Sequence, residues 1–409
     1  MNSGPAPVAP KRRSAAPVMI LAGGTGGHIY PGLAVAKALQ RHGMAVQWMG
    51  AVGAMEEKIV PKHHIPLSTI SIRGLRGKDW KTQMTAPIRL LSAIWAASKV
   101  LKRNRPCAVI SFGGFAAAPG GLAARWLKLP LLVHEQNRVA GLTNKILARV
   151  ANRVLTGFPD SFINEEVVGN PIRQEIARIP PLSARLSDKG PLRLLVLGGS
   201  QGALALNLAV PAACAAIEQL DLAIWHQSGE KGFEQTEAAY RSARINARVM
   251  PFIQDMVSAF TWADLVICRA GASTLAEICA VGIGSILVPF AAAVDDHQTH
   301  NAQYLVAAGA AVMLKQSAGL AQQLKETLVG LINHPAQRLQ MATAARSLAK
   351  PNAAEDIATI VLQESQKPPT SLPRRLGSEQ PSAKRDDVTS KDRQVSAVLS
   401  LPINQGGTS

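Results

Sequence analysis

Leu21-Ala-Gly-Gly-Thr-Gly-Gly-His-Ile-Tyr-Pro-Gly32 is the most informative segment of this 409-residue chain. Ahead of it, Val18–Ala22 is an unbroken apolar run that reads as a buried strand. Behind it, Leu33, Val35, Ala36 and Leu39 fall on one face of a helix. Strand, glycine turn and helix in that order bring free N–H groups and a helix N-terminus to one point, which favours phosphate oxygens. Gly23, Gly24, Gly26 and Gly27 let the backbone approach a ligand closely. A histidine closes the loop, so His28 is a candidate acid or base beside an anion; tying down its own loop is the other use open to it. Two familiar nucleotide loops do not match. A dinucleotide site needs an acidic residue at the end of the next strand, and Val46-Gln-Trp-Met49 runs into glycine. A P-loop needs Gly-Lys-Ser/Thr, and this loop has Gly-His.

Further along, β-rich runs alternate with helical patterns. Strands are expected at Val18–Ala22, Val46–Met49, Leu67–Ile72, Ala108–Ser111, Leu131–His134 and Val154–Thr156. Such alternation implies the α/β class, with a parallel sheet between layers of helices. Ligands then bind outside the carboxyl ends of strands, which places Gly23, Ser111-Phe-Gly-Gly-Phe115 and His134-Glu-Gln-Asn137 on one rim. Residues 17–175 form the expected N-terminal domain, and 176–190, rich in Pro, Ser and charge, a linker. The pattern restarts over 191–350 with strand Leu192–Leu197, turn Gly198-Gly-Ser-Gln-Gly-Ala203 and helix Leu204–Cys214. Two doubly wound, Rossmann-like domains facing each other across a cleft are therefore expected. Later strands fit Ala223–Gln227, Val249–Phe252, Leu265–Cys268, Ser285–Val288 and Ala311–Leu314. A final helix at about 353–366 is expected to return to the first domain, and the tails 1–16 and 367–409 to be disordered.

Composition narrows the partners. The net charge is +17, yet aromatics make up only 4% and no stacking platform interleaves with the basic residues. A phosphorylated substrate or an anionic membrane surface is favoured, and nucleic acid is not expected. No apolar run reaches membrane-spanning length, and no secretory signal core follows Lys11-Arg-Arg13. The four cysteines are scattered without metal-ligand spacing.

In the second half the informative segment is Arg269-Ala-Gly-Ala-Ser-Thr-Leu-Ala-Glu277, a glycine turn running into a helix. Its N–H groups suit a diphosphate, and Glu277 could accept both ribose hydroxyls. Thr274 and Glu277 equally have the spacing of a capping box. Downstream, the amides of Gln298 and Asn301 can bond sugar hydroxyls. Asp295 and Asp296 are open as a metal pair or as a solvated helix start.

Taken together, these segments resemble the MurG family of UDP-N-acetylglucosamine transferases. The motifs are Gly23–His28, Ser111–Phe115 with Pro119-Gly120, His134–Asn137 with Gly141-Leu-Thr-Asn144, Gly169-Asn-Pro-Ile-Arg173, Gly198–Ala203, Ala270–Glu277 and Asp295–Gln298, in family order over about Val18–Gln363. The resemblance implies a GT-B fold and inverting transfer of GlcNAc from UDP-GlcNAc to the muramoyl C4 hydroxyl of a polyprenyl-diphosphate acceptor, lipid I. By position it implies Thr25, Gly26, Gly27 and Asn137 on the near side of the donor, with Arg173 and Ser200 at the diphosphate. Ile253 would offer its backbone to uracil. Ala272, Ser273, Thr274, Leu275, Ala276 and Glu277 would hold diphosphate and ribose, and Gln298 the sugar. Ile253 could also be plain core, and Arg173 an interdomain ion pair. His28 is the expected base, with Glu135 as the alternative. No Asp-x-Asp motif precedes the donor segment, so neither a metal nor another cofactor is expected.

A lipid-borne acceptor implies a peripheral protein on the cytoplasmic side of the bacterial inner membrane, with other cell-wall synthesis or division proteins as possible partners. Ile72–Lys78, Trp80 and Lys81, then Ile88, Leu90, Leu91, Ile94, Trp95 and Lys99, mix apolar residues with cations as an interfacial helix does. Leu91, Ile94 and Trp95 are open to a second use as core. A glycolipid transferase acting on diacylglycerol, a nicotinamide oxidoreductase and a non-catalytic basic scaffold are the competing readings.

Overall fold

The computed structural model describes residues 16–72, 80–185, 190–199, 202–217, 221–290 and 296–367, with backbone alone for 80–86. The first sheet contains β1 (Val18–Ala22), β2 (Val46–Ala51), β3 (Leu67–Ile70), β4 (Ala108–Gly113), β5 (Leu131–Glu135), β6 (Arg153–Thr156) and β7 (Glu166–Val167), in the order β3-β2-β1-β4-β5-β6-β7. The second contains β8 (Leu192–Leu197), β9 (Leu222–Gln227), β10 (Ala247–Met250), β11 (Leu265–Cys268), β12 (Gly284–Leu287) and β13 (Ala311–Met313), in the order β10-β9-β8-β11-β12-β13. Every described strand pair is parallel. Parallel neighbours need crossover connections, and the crossing helices cover both sheet faces. That is why β1, Val-Met-Ile-Leu-Ala, is buried along its whole length and shows no polar alternation.

Helices α1 (Gly26–Arg41), α2 (Met55–Ile59), α3 (Trp80–Asn104), α4 (Ala117–Trp126) and α5 (Leu142–Ala148) belong to the first sheet. The short α6 (Gln174–Ala177) lies in the connection. The second sheet carries α7 (Leu204–Ala215), α8 (Phe233–Ser242), α9 (Met256–Trp262), α10 (Ala272–Val281), α11 (His297–Ala307), α12 (Leu320–Asn333) and α13 (Pro335–Ser347). The last helix, α14 (Ala353–Gln366), packs on α1: Ile357, Ala358, Ile360 and Val361 join the core of Ile20, Leu33, Leu39 and Trp48. Glu355 at its start accepts from Arg41 Nε at 3.0 Å and faces His42 Nε2 at 3.1 Å. In each sheet the strand order reverses between its first and fourth strands, β1/β4 and β8/β11. These are the crevices in which doubly wound sheets bind ligands.

The observed elements differ from the sequence expectation in a few places. β7 was not expected; two residues are too few to show a period. β10 starts and stops two residues earlier than Val249–Phe252, ending before Pro251, which has no N–H for a ladder. On α3, Ala93, Ala97 and Leu101 face the core, while Ile88, Leu91 and Trp95 are 71%, 66% and 57% exposed. Of the three residues left open as core, only Ile94 packs there. The alanine stripe brings α3 close to its neighbours and turns the large side chains outward. Lys99 Nζ lies 3.3 Å from the Trp95 ring centre, and Lys102 Nζ 5.9 Å from that of Trp126. No described helix is long and apolar enough to cross a membrane. Residues 73–79, the Trp80 and Lys81 side chains, and the expected tails 1–16 and 367–409, apart from Ala16 and Lys367, lie outside the described residues.

Candidate active site

Helix α1 begins at Gly26, behind an extended Thr25 whose side chain makes no capping bond. The N–H groups of Gly26 and Gly27 therefore have no partner within the helix and face its open end. His28 Nδ1 lies 3.1 Å from Gly23 O. A carbonyl only accepts, so Nδ1 carries a hydrogen, and in a neutral ring Nε2 is then the nitrogen with the lone pair. The Nε2 side of the ring abuts Gly113, where an added Cβ would lie 3.2 Å from that nitrogen. Next to it, Gly114 has φ +96°, and a Cβ there would fall 2.3 Å from Gly23 O. Only glycine lets the β4 loop close onto the β1 loop in this way.

The rim of β5 is a dense polar network. Glu135 is buried and accepts from Asn137 N at 3.0 Å, Asn137 Nδ2 at 3.3 Å, Gly141 N at 3.1 Å and Asn144 Nδ2 at 2.9 Å. Four donors on one carboxylate suit an anchor for the 136–144 loop better than a proton carrier. His134 is fully buried between Gly169 O at 2.9 Å and Gln136 Nε2 at 3.0 Å. Burial lowers its pKa to about 4, so it is neutral.

On the second sheet, α10 begins at Ala272 behind an extended Gly271 that makes no side-chain cap. Ala272, Ser273 and Thr274 thus contribute the open N–H groups of a ten-residue helix. Ser273 Oγ is buried without a hydrogen-bond partner, an orphan hydroxyl at a helix end that suits an anion. The capping-box alternative fails, because Thr274 is the third helical residue and not the cap. Glu277 sits on the second turn of the helix. Leu275 is fully buried and its N–H donates to Gly271 O at 3.0 Å, so it supports the turn and offers a ligand no free group.

Glu277 Oε1 accepts from Arg173 Nε at 3.1 Å and Nη2 at 2.9 Å. This is the ion pair left open in the sequence for Arg173. Burial raises the pKa of Glu277, and Arg173 opposes that shift. Ile253 is buried, and its N–H donates to Gln227 Oε1 at 3.2 Å. Gln298 Oε1 accepts from Phe290 N at 2.9 Å, which leaves its NH₂ end as the part that could meet a sugar. Ser200 and Asp295 lie outside the described residues.

Two residues carry roles that the sequence did not suggest. Asn301, read as a sugar ligand, has no exposed surface. Its Nδ2 donates to Asn137 Oδ1 at 3.1 Å and Ala270 O at 3.2 Å, and its Oδ1 accepts from Arg138 N at 2.9 Å. It therefore bolts the β5 rim of the first sheet to the β11 rim of the second. Glu56 is fully buried beneath the glycine loop. Neither role carries a local signal, because the groups that Asn301 and Glu56 join come together only in the fold.

Two doubly wound parallel sheets, with an open helix N-terminus on each rim and a polar bolt between the rims, form the GT-B architecture of sugar-nucleotide-dependent transferases. Residues 18–156 match the glycosyltransferase family 28 N-terminal domain, and 193–359 the C-terminal domain of the same family. More narrowly, the chain belongs to the MurG family. It is 60% identical over 366 residues to the UDP-N-acetylglucosamine–N-acetylmuramyl-(pentapeptide) pyrophosphoryl-undecaprenol N-acetylglucosamine transferase of Xanthomonas axonopodis pv. citri (strain 306), covering 89% of this chain and 86% of that one. It is 59% identical over 352 residues to the enzyme of the same name from Xylella fastidiosa (strain M12), covering 85% and 96%. The crystal structure of Acinetobacter baumannii MurG superposes with a TM-score of 0.76 at 40% identity, over 85% of this chain and 99% of that one.

Proposed function

We propose that this protein transfers N-acetylglucosamine from UDP-GlcNAc to the C4 hydroxyl of the muramoyl residue of lipid I, forming lipid II for peptidoglycan synthesis. The observation that carries this reading is the Asn137–Asn301–Ala270 chain of hydrogen bonds, which joins the rim bearing the imidazole to the loop that opens α10. One sugar nucleotide held at α10 then presents its anomeric carbon toward His28. Nε2 of His28 takes the proton of the attacking hydroxyl, because Nδ1–H is committed to Gly23 O. Attack from the face opposite UDP inverts the anomeric configuration. The departing diphosphate is stabilised by the N–H groups of Ala272, Ser273 and Thr274 and by Arg173. Glu277 exchanges its contact with Arg173 for the ribose hydroxyls, and the freed guanidinium turns to the diphosphate. Gly26 and Gly27 are left for the acceptor's own diphosphate. Glu135 holds the loop that carries Asn137.

The exposed Ile88, Leu91 and Trp95 with Lys99, beside Trp126 with Lys102, form an apolar stripe edged by cations. This composition fits docking on an anionic bilayer from the cytoplasmic side of the inner membrane. Radiolabelled UDP-GlcNAc, offered with a lipid I analogue or with diacylglycerol, tests the assignment. Label should enter the lipid I analogue alone, with a β linkage; label in diacylglycerol would refute it. His28→Ala should lower kcat about 10²- to 10⁴-fold, the usual range for loss of a general base, while UDP affinity stays unchanged.

A further inference from the structure

Glu56 is a buried carboxyl that the mechanism above does not use. Its Oε2 accepts the Gly24 N–H at 3.0 Å and its Oε1 the Ala51 N–H at 2.8 Å, so one side chain ties the end of β2 to the loop after β1. The fit leaves no slack. A Cβ on Gly23 would fall 2.1 Å from Oε1, and one on Gly50 would fall 2.5 Å from Cγ. Trp48 Nε1 donates to Ala22 O at 2.8 Å and fixes the strand end just ahead of the loop. Burying a carboxyl is costly even when it is hydrogen-bonded, and an apolar side chain would fill the same space more cheaply. What the carboxyl supplies, and an apolar residue would not, is a fixed position for Gly24. Beside Gly24 stands Gly23, whose carbonyl holds His28 Nδ1.

We propose that Glu56 is a positioning residue for the transfer step. It holds the glycine loop down, so that Gly23 O orients the His28 ring with Nε2 toward the acceptor hydroxyl. The proposal rests on the reading of His28 as the base. Glu56→Gln keeps the shape but turns an NH₂ group toward one of two N–H donors, so one of the two ties is lost. The expected result is a kcat lowered roughly 10- to 100-fold, as for misplacement of a catalytic group, with KM for UDP-GlcNAc within about twofold. In a His28→Ala background the same substitution should cost less than about threefold in the residual rate, because the group it orients is gone. Gly50→Ala, which pushes the same carboxyl aside without removing it, should reproduce the kcat loss and its dependence on His28. An effect of Glu56→Gln that persists undiminished in the His28→Ala background would overturn the proposal, as would a parental kcat or a donor KM that rises as steeply as kcat falls. If His28→Ala itself keeps the parental kcat, the base assignment fails and this proposal falls with it. That outcome is separate from a crippled His28→Ala whose effect merely multiplies with that of Glu56→Gln.

Discussion

Glu277 illustrates how a single side chain can be held at a cost to stability. Burial raises its pKa more than Arg173 lowers it. A carboxyl with a raised folded pKa adds stability while protonated, below the ordinary range near 4.5, and withdraws it as pH rises through the raised value. Glu277→Gln should therefore melt above the parent at pH 8, by about 1–3 °C for a chain of this size, and the gap should close toward pH 4.5. Thermal scans across that range check the sign; a lower melting point at pH 8 would contradict it. The same variant should bind UDP more weakly. At this scale the sequence was legible where chemistry is local. The glycine turn and the helix start behind Thr25 announce themselves in the sequence alone. It was not legible where the role depends on a distant partner. Glu135 looked like a base because Gly141 and Asn144 meet it only in the fold, and Arg173 showed its link to Glu277 only as one of two options.

Elements were read more accurately than their faces. β1, β8 and β11 have the bounds expected from their apolar runs, because buried parallel strands advertise themselves by composition. The orientation of α3 was half missed. Its apolar residues outnumber one face, and nothing in their spacing says that alanines take the core side. α10 does begin at the glycine turn, and of its two readings the capping box is the one that fails, since Gly271 holds the cap position. The consequence for α3 can be measured. Leu91→Glu with Trp95→Glu should reduce sedimentation with anionic vesicles about 10-fold or more, given the apolar area removed and the charge reversed. Turnover of a detergent-dispersed acceptor should stay near parental. Unchanged vesicle binding would move the membrane face elsewhere.

At the scale of the molecule, both halves carry a buried neutral histidine. His134 under the first rim has its pKa lowered to about 4, and His226 in the second sheet, between Tyr240 OH at 3.0 Å and Asn207 Oδ1 at 3.2 Å, to about 3. Burial is the principal cause in each case. A depressed histidine contributes stability that is full above its unfolded value of 6.5 and is lost as pH falls toward the folded value. The free energy of urea unfolding should thus decline from pH 6.5 to 5, at up to about 1.4 kcal/mol per pH unit for each histidine. His226→Gln should flatten the slope. Asn301→Ala tests the bolt between the sheets. It leaves Asn137, Arg138 and Ala270 short of partners and should cost about 1–3 kcal/mol in urea unfolding. A loss well below that range would mean that the two rims are held by other contacts. The two-sheet plan was legible because its strand–glycine–helix unit occurs twice. The bolt was not, because a buried amide in a polar helix has no signature until both rims are present.

The last described helix, α14, lies on the first core, and this has a bearing on how the protein is made. Ile357, Ala358, Ile360 and Val361 cover apolar surface laid down by Ile20, Leu33 and Trp48, which leave the ribosome more than three hundred residues earlier. The opening half of the nascent polypeptide must therefore wait, one greasy flank uncovered, until Val361 has been made. A stop codon after residue 350 would leave the later half intact and the earlier half a client for chaperones.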